Sequence, residues 1–371
     1  MSVRSLIESI GVYTPEQALS TEEVLRGCTH RPKVDLEELT GIQSRPVVGK
    51  GEYSIELAAK AISQCLKLSR HSPADIDMLA SCSISRYCGP NYRFSAEPSA
   101  AANLAAQIGL SRNAITIDIT NACAGMFTGI LLADSLIKSR SIRRAIVVSG
   151  EYITHIMANA QREIGDGIDP QLASLTVGDA GAALILEATE DTAVGLDDIE
   201  LVNLAKYCDL CIGTLSDKRH GGYVMYADSQ PLLALGRYIA EHMAIRLKER
   251  HLGADDYDHF IIHQVASKYI DFVMQSLAAY LKIDPIPQEK VVDNVRYRGN
   301  TASTAHFVAL WDFMKQGLIK SNSKILFGVG ASGATHGVAS CILDDLPDRV
   351  YRLYKDVERR NASHEGTRYG K

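Results

Sequence analysis

The sequence contains few of the features that mark specialised protein classes. No window of about eighteen apolar residues occurs, so no membrane-spanning helix is predicted. The formal net charge is −5, which argues against a nucleic-acid-binding protein held mainly by phosphate contacts. The eight cysteines show no framework spacing, which argues against a disulfide-stapled fold and favours reduced thiols. No Pro/Ser-rich linker or low-complexity tract separates parts of the chain.

What remains is the composition of a packed globular protein. Hydrophobic residues make up 46% and charged residues 22%, which excludes intrinsic disorder. A length of 371 residues predicts two to three domains or one large duplicated one. The first residues lack a long apolar core, so we expect no signal peptide and a cytoplasmic location. The tail from Arg359 to Lys371 is polar and basic, and we expect it to be frayed.

Short β-branched runs alternate with helical patterns along the chain, which predicts an α/β layer architecture. Strands are predicted over residues 76–81, 114–119, 145–149 and 182–186. Helices are predicted over Ser54–Leu68 and Pro98–Ile108, and the second is expected to begin at its proline and end before Gly109.

The same order of elements occurs twice. Each half has a strand, an excursion, a second strand, a polar residue that opens an apolar helix, and a third strand. Cys123 is the polar residue in the first half, and Asn300 takes the equivalent place after a strand expected within Val291–Asn300. We therefore predict two duplicated αβ units, residues 1–190 and residues 191–371, with the seam near Glu187–Gly195.

Cys123 is the candidate nucleophile. It lies between a predicted strand and an apolar helix, among small residues that allow a ligand to approach closely. The positive end of a helix dipole favours a thiolate, which is the reactive form of cysteine. The alternative is an inert buried cysteine, which is common in protein cores.

His263 and Asn300 are the candidate partners of this cysteine. His263 follows an apolar strand, so it is expected in the crevice at the carboxyl end of its sheet. Taken singly, a buried structural histidine and a turn asparagine are the better interpretations of these two residues. Taken with the duplication, the three groups are predicted to converge where the two halves meet.

These motifs resemble the β-ketoacyl-acyl-carrier-protein synthase III branch of the thiolase superfamily over nearly the whole chain. Cys123 matches the family nucleophile, His263 its His-Gln motif and Asn300 its Gly-Asn-Thr motif. The segment 178–182 matches a structural glycine-rich turn of the family. The resemblance implies a five-layered αβαβα fold, a homodimer, and acyl transfer to Cys123 followed by Claisen condensation. It implies no metal and no redox cofactor.

The resemblance also implies further site residues. The backbone N–H groups of Cys123 and Ser332 would form an oxyanion hole, in a loop with one residue more than the usual pattern. Gly330 and Gly333 of that loop would contact substrate, and Lys268 matches a basic position near the pantetheine entrance. His263 Nε2 and the Asn300 amide would donate hydrogen bonds to the enolate oxygen of the second thioester.

Glu97 is a candidate general base. Its place before Pro98 is similar to that of a glutamate in the head-to-head condensing thiolases of olefin biosynthesis, where the residue enters the partner subunit's site. The similarity implies that Glu97 takes an α-proton in a non-decarboxylative condensation. The alternative is a carboxylate placed at a helix N-terminus by the helix dipole.

The entrance departs from the family pattern. Members primed by coenzyme A carry Trp where this chain has Asp35, and Arg where it has Leu39, so a carrier-protein thioester is favoured over a coenzyme A thioester. Arg246, Lys248 and Arg250 would either extend a docking patch for an acidic carrier or form a solvated helix face. We expect secondary-metabolite or lipid biosynthesis with a long, malonyl or β-keto acyl partner.

Three rival functions fit the same residues. The first is acyl transfer to an oxygen or nitrogen nucleophile, which forms no carbon–carbon bond. The second is a non-catalytic partner subunit of a condensing complex, which the presence of all three candidate residues disfavours. The third is a cysteine hydrolase, which would release free acid.

Overall fold

The computed structural model describes residues 3–90, 93–94, 96–165 and 169–355, so the tail Arg359–Lys371 lies outside the described residues. The strands are β1 (Arg4–Tyr13), β2 (Ala18–Ser20), β3 (Ser44–Pro46), β4 (Met78–Ser81), β5 (Tyr87–Gly89), β6 (Arg93–Phe94), β7 (Ile115–Asp118), β8 (Arg144–Glu151), β9 (Ala180–Thr189), β10 (Gly195–Asn203), β11 (Cys211–Leu215), β12 (Tyr223–Ala227), β13 (His259–Ile262), β14 (Lys324–Ala331) and β15 (Thr335–Ile342). The helices are α1 (Thr21–Arg26), α2 (Leu36–Thr40), α3 (Ser54–Leu68), α4 (Ala100–Ile108), α5 (Gly125–Lys138), α6 (Thr154–Glu163), α7 (Ser229–Ala234), α8 (Gly236–Glu249), α9 (Ser267–Leu281), α10 (Val295–Arg298) and α11 (Ala305–Lys315). Residues 346–355 are also helical. Among all the described residues, no helix is both long enough and apolar enough to cross a membrane.

Two sheets repeat one pattern of strand pairing. The first has the order β1-β9-β8-β4-β7 and the second has the order β10-β15-β14-β13. In each sheet the first two pairings are antiparallel and the next is parallel. The predicted division at residue 190 falls between β9 and β10 and stays a prediction.

The helices and sheets form five layers, which confirms the α/β prediction. Helix α3 covers the outer face of the first sheet, and α8 covers the outer face of the second with α9 packed against it. Helices α5 and α11 lie between the sheets, and one large hydrophobic cluster joins residues of both sheets to both helices. Helix α5 follows the loop after β7 and α11 follows α10, and the short turns at the starts of the two helices are in contact near the centre of the molecule.

Two element boundaries differ from the prediction. Helix α4 begins at Ala100 because Ser99 caps it, its side chain accepting a hydrogen bond from the N–H of Ala102. Pro98 therefore precedes the helix, while Gly109 ends it in the left-handed conformation, as predicted. The segment 291–300 is not a strand: isolated bridges form at its two ends, and α10 occupies its middle.

Asp179 ties the start of β9 to two neighbouring segments. One carboxylate oxygen accepts from the N–H of Ile153 and of Thr154, at 2.7 and 2.8 Å. The other accepts from the N–H of Val48 at 2.9 Å and from the Thr154 hydroxyl at 2.5 Å. This explains why the glycine-rich turn at 178–182 carries a buried acid.

Candidate active site

Three short 3-10 turns meet between the two sheets. They are Ala122–Ala124 between β7 and α5, Ala302–Thr304 before α11, and Ser332–Ala334 after β14. The first turn carries Cys123 and the third carries Ser332, while Asn300 lies two residues before the second. Residues distant in the sequence are thus brought together by the loops at strand ends.

Cys123 is half-buried and has two backbone donors at its sulfur. The N–H groups of Cys123 itself and of Ser332 lie near the sulfur and lower the pKa of the thiol. Burial has the larger effect and raises that pKa, and the neighbouring Cys211 and Glu151 raise it further. The resting group is therefore a thiol, and not the thiolate that the helix end predicted, because desolvation outweighs the helix dipole.

Ser332 lies where its N–H can serve an oxyanion. Its hydroxyl is engaged separately, donating to the Sγ of Cys211 at 3.1 Å, so the serine side chain and its backbone N–H have different partners. Cys211 comes from β11 and is buried, and no feature of the sequence singled it out. Each of the eight cysteines, all within the described residues, is a free thiol.

Glycine is required at two positions of this loop for different structural reasons. Gly333 has a φ of 76°, a left-handed conformation that favours glycine. A Cβ on Gly330 would lie 2.8 Å from Ile239 Cδ1 and 3.4 Å from the Tyr269 hydroxyl. Gly330 therefore leaves room for those side chains beside the loop.

His263 follows β13 directly and is buried. Its backbone N–H donates to the carbonyl of Gly328 at 3.1 Å, which ties it to β14. Burial lowers the pKa of His263 well below its ordinary value, and the neighbouring His306 lowers it further. Since no described residue gives Nδ1 a hydrogen-bond partner, a neutral ring with its proton on Nε2 leaves no N–H unpaired there.

Asn300 has a fixed backbone and a partly engaged side chain. Its N–H donates to Thr176 at 2.9 Å, and its carbonyl accepts from Gly178 at 3.0 Å. Its Oδ1 accepts from the N–H of Ala302 at 2.9 Å. This bond sets the orientation of the amide and leaves the Nδ2 hydrogens as donors.

The residue of the second half that corresponds to Cys123 is not the one predicted. Cys123 lies two residues before α5, and the residue two before α11 is Ser303, so Ser303 and not Asn300 takes the matching place. The Ser303 hydroxyl donates to Glu151, a fully buried carboxyl group, at 2.5 Å. Further donors to Glu151 are the N–H groups of Ile84 and Ser85 and the hydroxyls of Ser85 and Ser149.

Lys268 and Tyr269 open α9 on the side of the entrance. Lys268 is exposed, as a docking residue must be. Burial raises the pKa of the Tyr269 phenol, and the proximity of Cys123 raises it further, so the two groups lie within electrostatic reach. Sequence reasoning missed Tyr269; its place next to Lys268 is the one signal that could have drawn attention to it.

Glu97 lies at the surface of the chain. It is exposed, in the segment that leads into α4. Asp118 at the end of β7 accepts from the N–H groups of Ala100 and Ala101 at 3.0 and 2.8 Å, so this segment is fixed beside β7. The structure therefore places Glu97 next to a sheet edge and not beside Cys123 among the turns.

A shallow, open pocket of about 550 Å³ is lined by Asp35, the residue that stands where members primed by coenzyme A carry Trp. Its lining residues are Asp35, Glu37, Glu38, Gly41, Gln43 and Arg296. Three of the six are carboxylates and one is a guanidinium, so the rim is acidic. A Cβ on Gly41 would lie 2.7 Å from the hydroxyl of Ser267, which places the start of α9, and with it Lys268, against the pocket.

The three basic residues on α8 do not form a free docking patch. Arg246 pairs with Asp198 at 2.7 Å and Arg250 pairs with Asp197 at 2.5 Å. Lys248 donates to a backbone carbonyl at 3.1 Å. The two arginines neutralise acidic residues of β10 and hold this end of α8 on the second sheet, whereas Lys248 bonds to α9 through the carbonyl of Tyr280.

Comparison with known proteins gives the family. The profile for 3-Oxoacyl-[acyl-carrier-protein (ACP)] synthase III matches residues 117–203, and the profile for the C terminal part of the same enzyme matches residues 247–343. A β-ketoacyl-[acyl-carrier-protein] synthase III of Brucella canis is 26% identical over 352 residues, covering 90% of this chain and 98% of the relative. That of Allorhizobium ampelinum is 27% identical over 351 residues, with coverage of 90% and 98%.

Solved structures share the fold. OleA of Xanthomonas campestris superposes with a TM-score of 0.77 at 20% identity, covering 92% of this chain and 97% of that one. FabH, 3-oxoacyl-(acyl carrier protein) synthase III of Pseudomonas aeruginosa, superposes with a TM-score of 0.76 at 20% identity, with coverage of 92% and 99%. The chain belongs to the β-ketoacyl-acyl-carrier-protein synthase III-like condensing enzymes of the thiolase superfamily.

Proposed function

We propose that the protein joins two acyl thioesters by a Claisen-type condensation that passes through an acyl group on Cys123. The observation that carries the proposal is the contact between the turns of Cys123 and Ser332, which brings the N–H groups of both residues near one sulfur. Two fixed donors at a nucleophile are what a tetrahedral intermediate needs for its oxyanion. The curated relatives are named as synthases of this type, which supports the same reaction class.

The first step is acylation of Cys123. The sulfur attacks the carbonyl carbon of an acyl thioester, and the carbonyl oxygen becomes an oxyanion held by the Cys123 and Ser332 N–H groups. The carbon–sulfur bond to the carrier then breaks, and the thiol proton of Cys123 ends on the departing sulfur. Since burial raises the pKa of this thiol, we expect proton removal to contribute to the barrier.

The second step is condensation. A second thioester loses an α-proton, or carbon dioxide when it is a malonyl group, and becomes an enolate. The enolate oxygen accepts hydrogen bonds from His263 Nε2 and Asn300 Nδ2, each worth about 2.7–4 kcal/mol. Its carbon attacks the acyl group on Cys123, the new carbon–carbon bond forms, and the cysteine sulfur leaves with the electron pair.

Glu97 is proposed as the base for the α-proton, acting in the partner subunit of a homodimer. Strand β7 is an exposed sheet edge with Ile115 47% and Ile117 38% exposed, which is an unfavourable surface for an isolated protomer. Pairing of two β7 edges about a two-fold axis would bury these side chains. Because the Glu97 segment is fixed beside β7, the same pairing would bring it to the partner.

The acyl donor is proposed to be a carrier-protein thioester, with coenzyme A thioesters as the second choice. The acidic pocket rim disfavours the phosphates of coenzyme A, while exposed Lys268 offers a cation to an acidic carrier. We place the pathway in secondary-metabolite or lipid biosynthesis. One solved OleA structure holds lauroyl-CoA, so coenzyme A thioesters belong in the same assay.

The test is incubation with an acyl thioester and then with a malonyl or β-keto acyl thioester, followed by mass spectrometry of protein and products. We expect one acyl adduct on Cys123 and a product with a new carbon–carbon bond. Cys123→Ala should lose both, and Cys208→Ala, which changes an exposed cysteine, is the control. An adduct whose acyl group passes to oxygen or nitrogen, or leaves as free acid, would replace the proposal by acyl transfer or hydrolysis, and no adduct would indicate a non-catalytic subunit.

A further inference from the structure

A second buried histidine, His306, lies against His263. The two imidazole rings are nearly parallel, with 13° between their planes and 5.3 Å between their centroids. His306 is fully buried, whereas the sequence marked it only as one residue of an apolar helix. No step of the proposed reaction uses it.

His306 is fixed at both ends of its ring. Its Nε2 lies 3.0 Å from the carbonyl of Gly328, so Nε2 carries the proton and donates. The same carbonyl accepts the backbone N–H of His263, so one oxygen of β14 anchors both histidines. On its other side the ring meets the edge of Phe127, at 4.9 Å and 81°, and Phe127 lies in the first turn of the helix that follows Cys123.

The surroundings keep His306 uncharged. Burial lowers the pKa of His306 to about 4. The residue lies in the first turn of α11, where the helix dipole also disfavours a cation. The neutral imidazole of His306 therefore covers one face of the His263 ring and excludes water from that face.

We propose that His306 is a positioning residue for His263, a role that rests on the proposed function. Its ring holds the His263 imidazole in one plane and keeps it dry, so that one neutral tautomer presents Nε2–H to the enolate. A side chain that filled the space without holding the ring would preserve the fold and lose this control. The other titratable groups of this site are those coupled to Cys123, namely Cys211 on β11, Glu151 on β8 and Tyr269 on α9.

The test measures His263 directly, without substrate. Nitrogen-15 labelling of histidine rings in the full-length protein reports the tautomer and titration of each imidazole. We expect wild-type His263 to be the neutral Nε2–H form at neutral pH. In His306→Gln we expect a mixture of tautomers and an apparent pKa of His263 about one unit higher, because water and lost ring packing both favour the charged form.

Two further variants separate positioning from folding. His306→Phe keeps a planar, uncharged ring against His263, so it should retain the Nε2–H tautomer and an apparent pKa of His263 close to that of the wild type. His259→Gln, at the other end of β13, should leave the His263 signals unchanged. In pre-acylated enzyme, His306→Gln should slow condensation about tenfold to a hundredfold, with acylation unchanged and partial rescue in His306→Phe.

Several outcomes overturn the inference. One is a His263 tautomer and pKa in His306→Gln identical to the wild type. Another is an equal loss of acylation and condensation, which indicates a fold defect. If His306→Gln does not fold, a mixture of His263 tautomers in His306→Phe overturns it alone. A wild type that makes no carbon–carbon bond but shows the expected ring signals would refute the proposed function and leave the positioning role intact.

Discussion

Mixed dimers give the sharpest test of Glu97. The proposal is that Glu97 leaves its own protomer and removes the α-proton in the partner's site, while Cys123 and His263 act together in one protomer. Glu97→Gln alone should lower the condensation rate about 10²- to 10⁴-fold, the usual contribution of a general base, and leave acylation intact. Cys123→Ala alone should abolish both steps.

Co-expression of these two variants should restore activity. With random pairing about half of the dimers are mixed, and each mixed dimer has one site with both Cys123 and a partner's Glu97. The preparation should therefore reach about one quarter of the wild-type specific activity. The assay is product formation by mass spectrometry at equal total protein, with each parent variant measured alone.

The control pair is Cys123→Ala with His263→Ala. Both residues serve the same site in one protomer, so every mixed dimer has a defect in each site and no recovery is expected. A mixture of Cys123→Ala and Glu97→Gln that stays at the level of its parents would refute action across the dimer. Recovery in the control pair would refute the assignment of Cys123 and His263 to one site.

Three further predictions concern stability and the site. Asp179→Asn should lower the free energy of unfolding by about 1–3 kcal/mol in urea titration, because the better amide orientation leaves the Val48 N–H unpaired while the Thr154 hydroxyl turns to accept from the amide. Burial lowers the pKa of His155 to about 4. The contribution of its neutral ring to the free energy of unfolding is therefore complete above pH 6.5 and is lost as the pH falls towards 4. His155→Gln should therefore reduce the slope of stability against pH in that window by up to about 1.4 kcal/mol per unit. Tyr269→Phe should change the pH dependence of Cys123 alkylation by iodoacetamide, because the phenol lies within electrostatic reach of the thiol, and identical profiles would show that the two groups are uncoupled.

Local patterns in the sequence predicted a large part of the structure. The apolar periodicity of Ser54–Leu68 gave α3 with its observed bounds, because the side chains that define it pack on a single sheet face. The small residues around Cys123 indicated a turn at a helix start, and the resemblance supplied Ser332. The segment 291–300 was mistaken for a strand, because β-branched residues there make isolated bridges at a sheet margin and not a ladder.

The remaining site features depend on packing that has no local signature. His306 and His263 are separated by 43 residues, and their rings lie nearly parallel because α11 of the central layer lies against β13 of the second sheet. The three carboxylates of the pocket are visible in the sequence, but their common rim requires α2 to lie against α9. The helix dipole at Cys123 was correctly inferred, yet burial of the sulfur, which reverses the direction of its pKa, needs the three turns together.

The acidic rim leads to a prediction about the acyl donor. Glu37 and Glu38 lie in the first turn of α2 and line the pocket with Asp35, which caps that helix. A coenzyme A thioester entering here would bring its phosphates towards these carboxylates. Replacing both glutamates with glutamine should lower KM for an acyl-coenzyme A about two- to thirtyfold at low salt, at about 0.2–1 kcal/mol for each charge removed.

The salt dependence distinguishes this cause from a change of shape. At about 0.15 M ionic strength the Debye length is about 8 Å, so the gain should shrink as salt rises. Glu289→Gln removes an exposed carboxylate that does not line the pocket and should leave KM unchanged. If Lys268 is the contact for an acidic carrier, Lys268→Glu should raise KM for the carrier thioester, while Lys282→Glu at the other end of α9 should not. A double glutamine variant with an unaltered KM for acyl-coenzyme A would mean that the phosphates pass elsewhere, and the preference for a carrier protein would then lose its electrostatic basis.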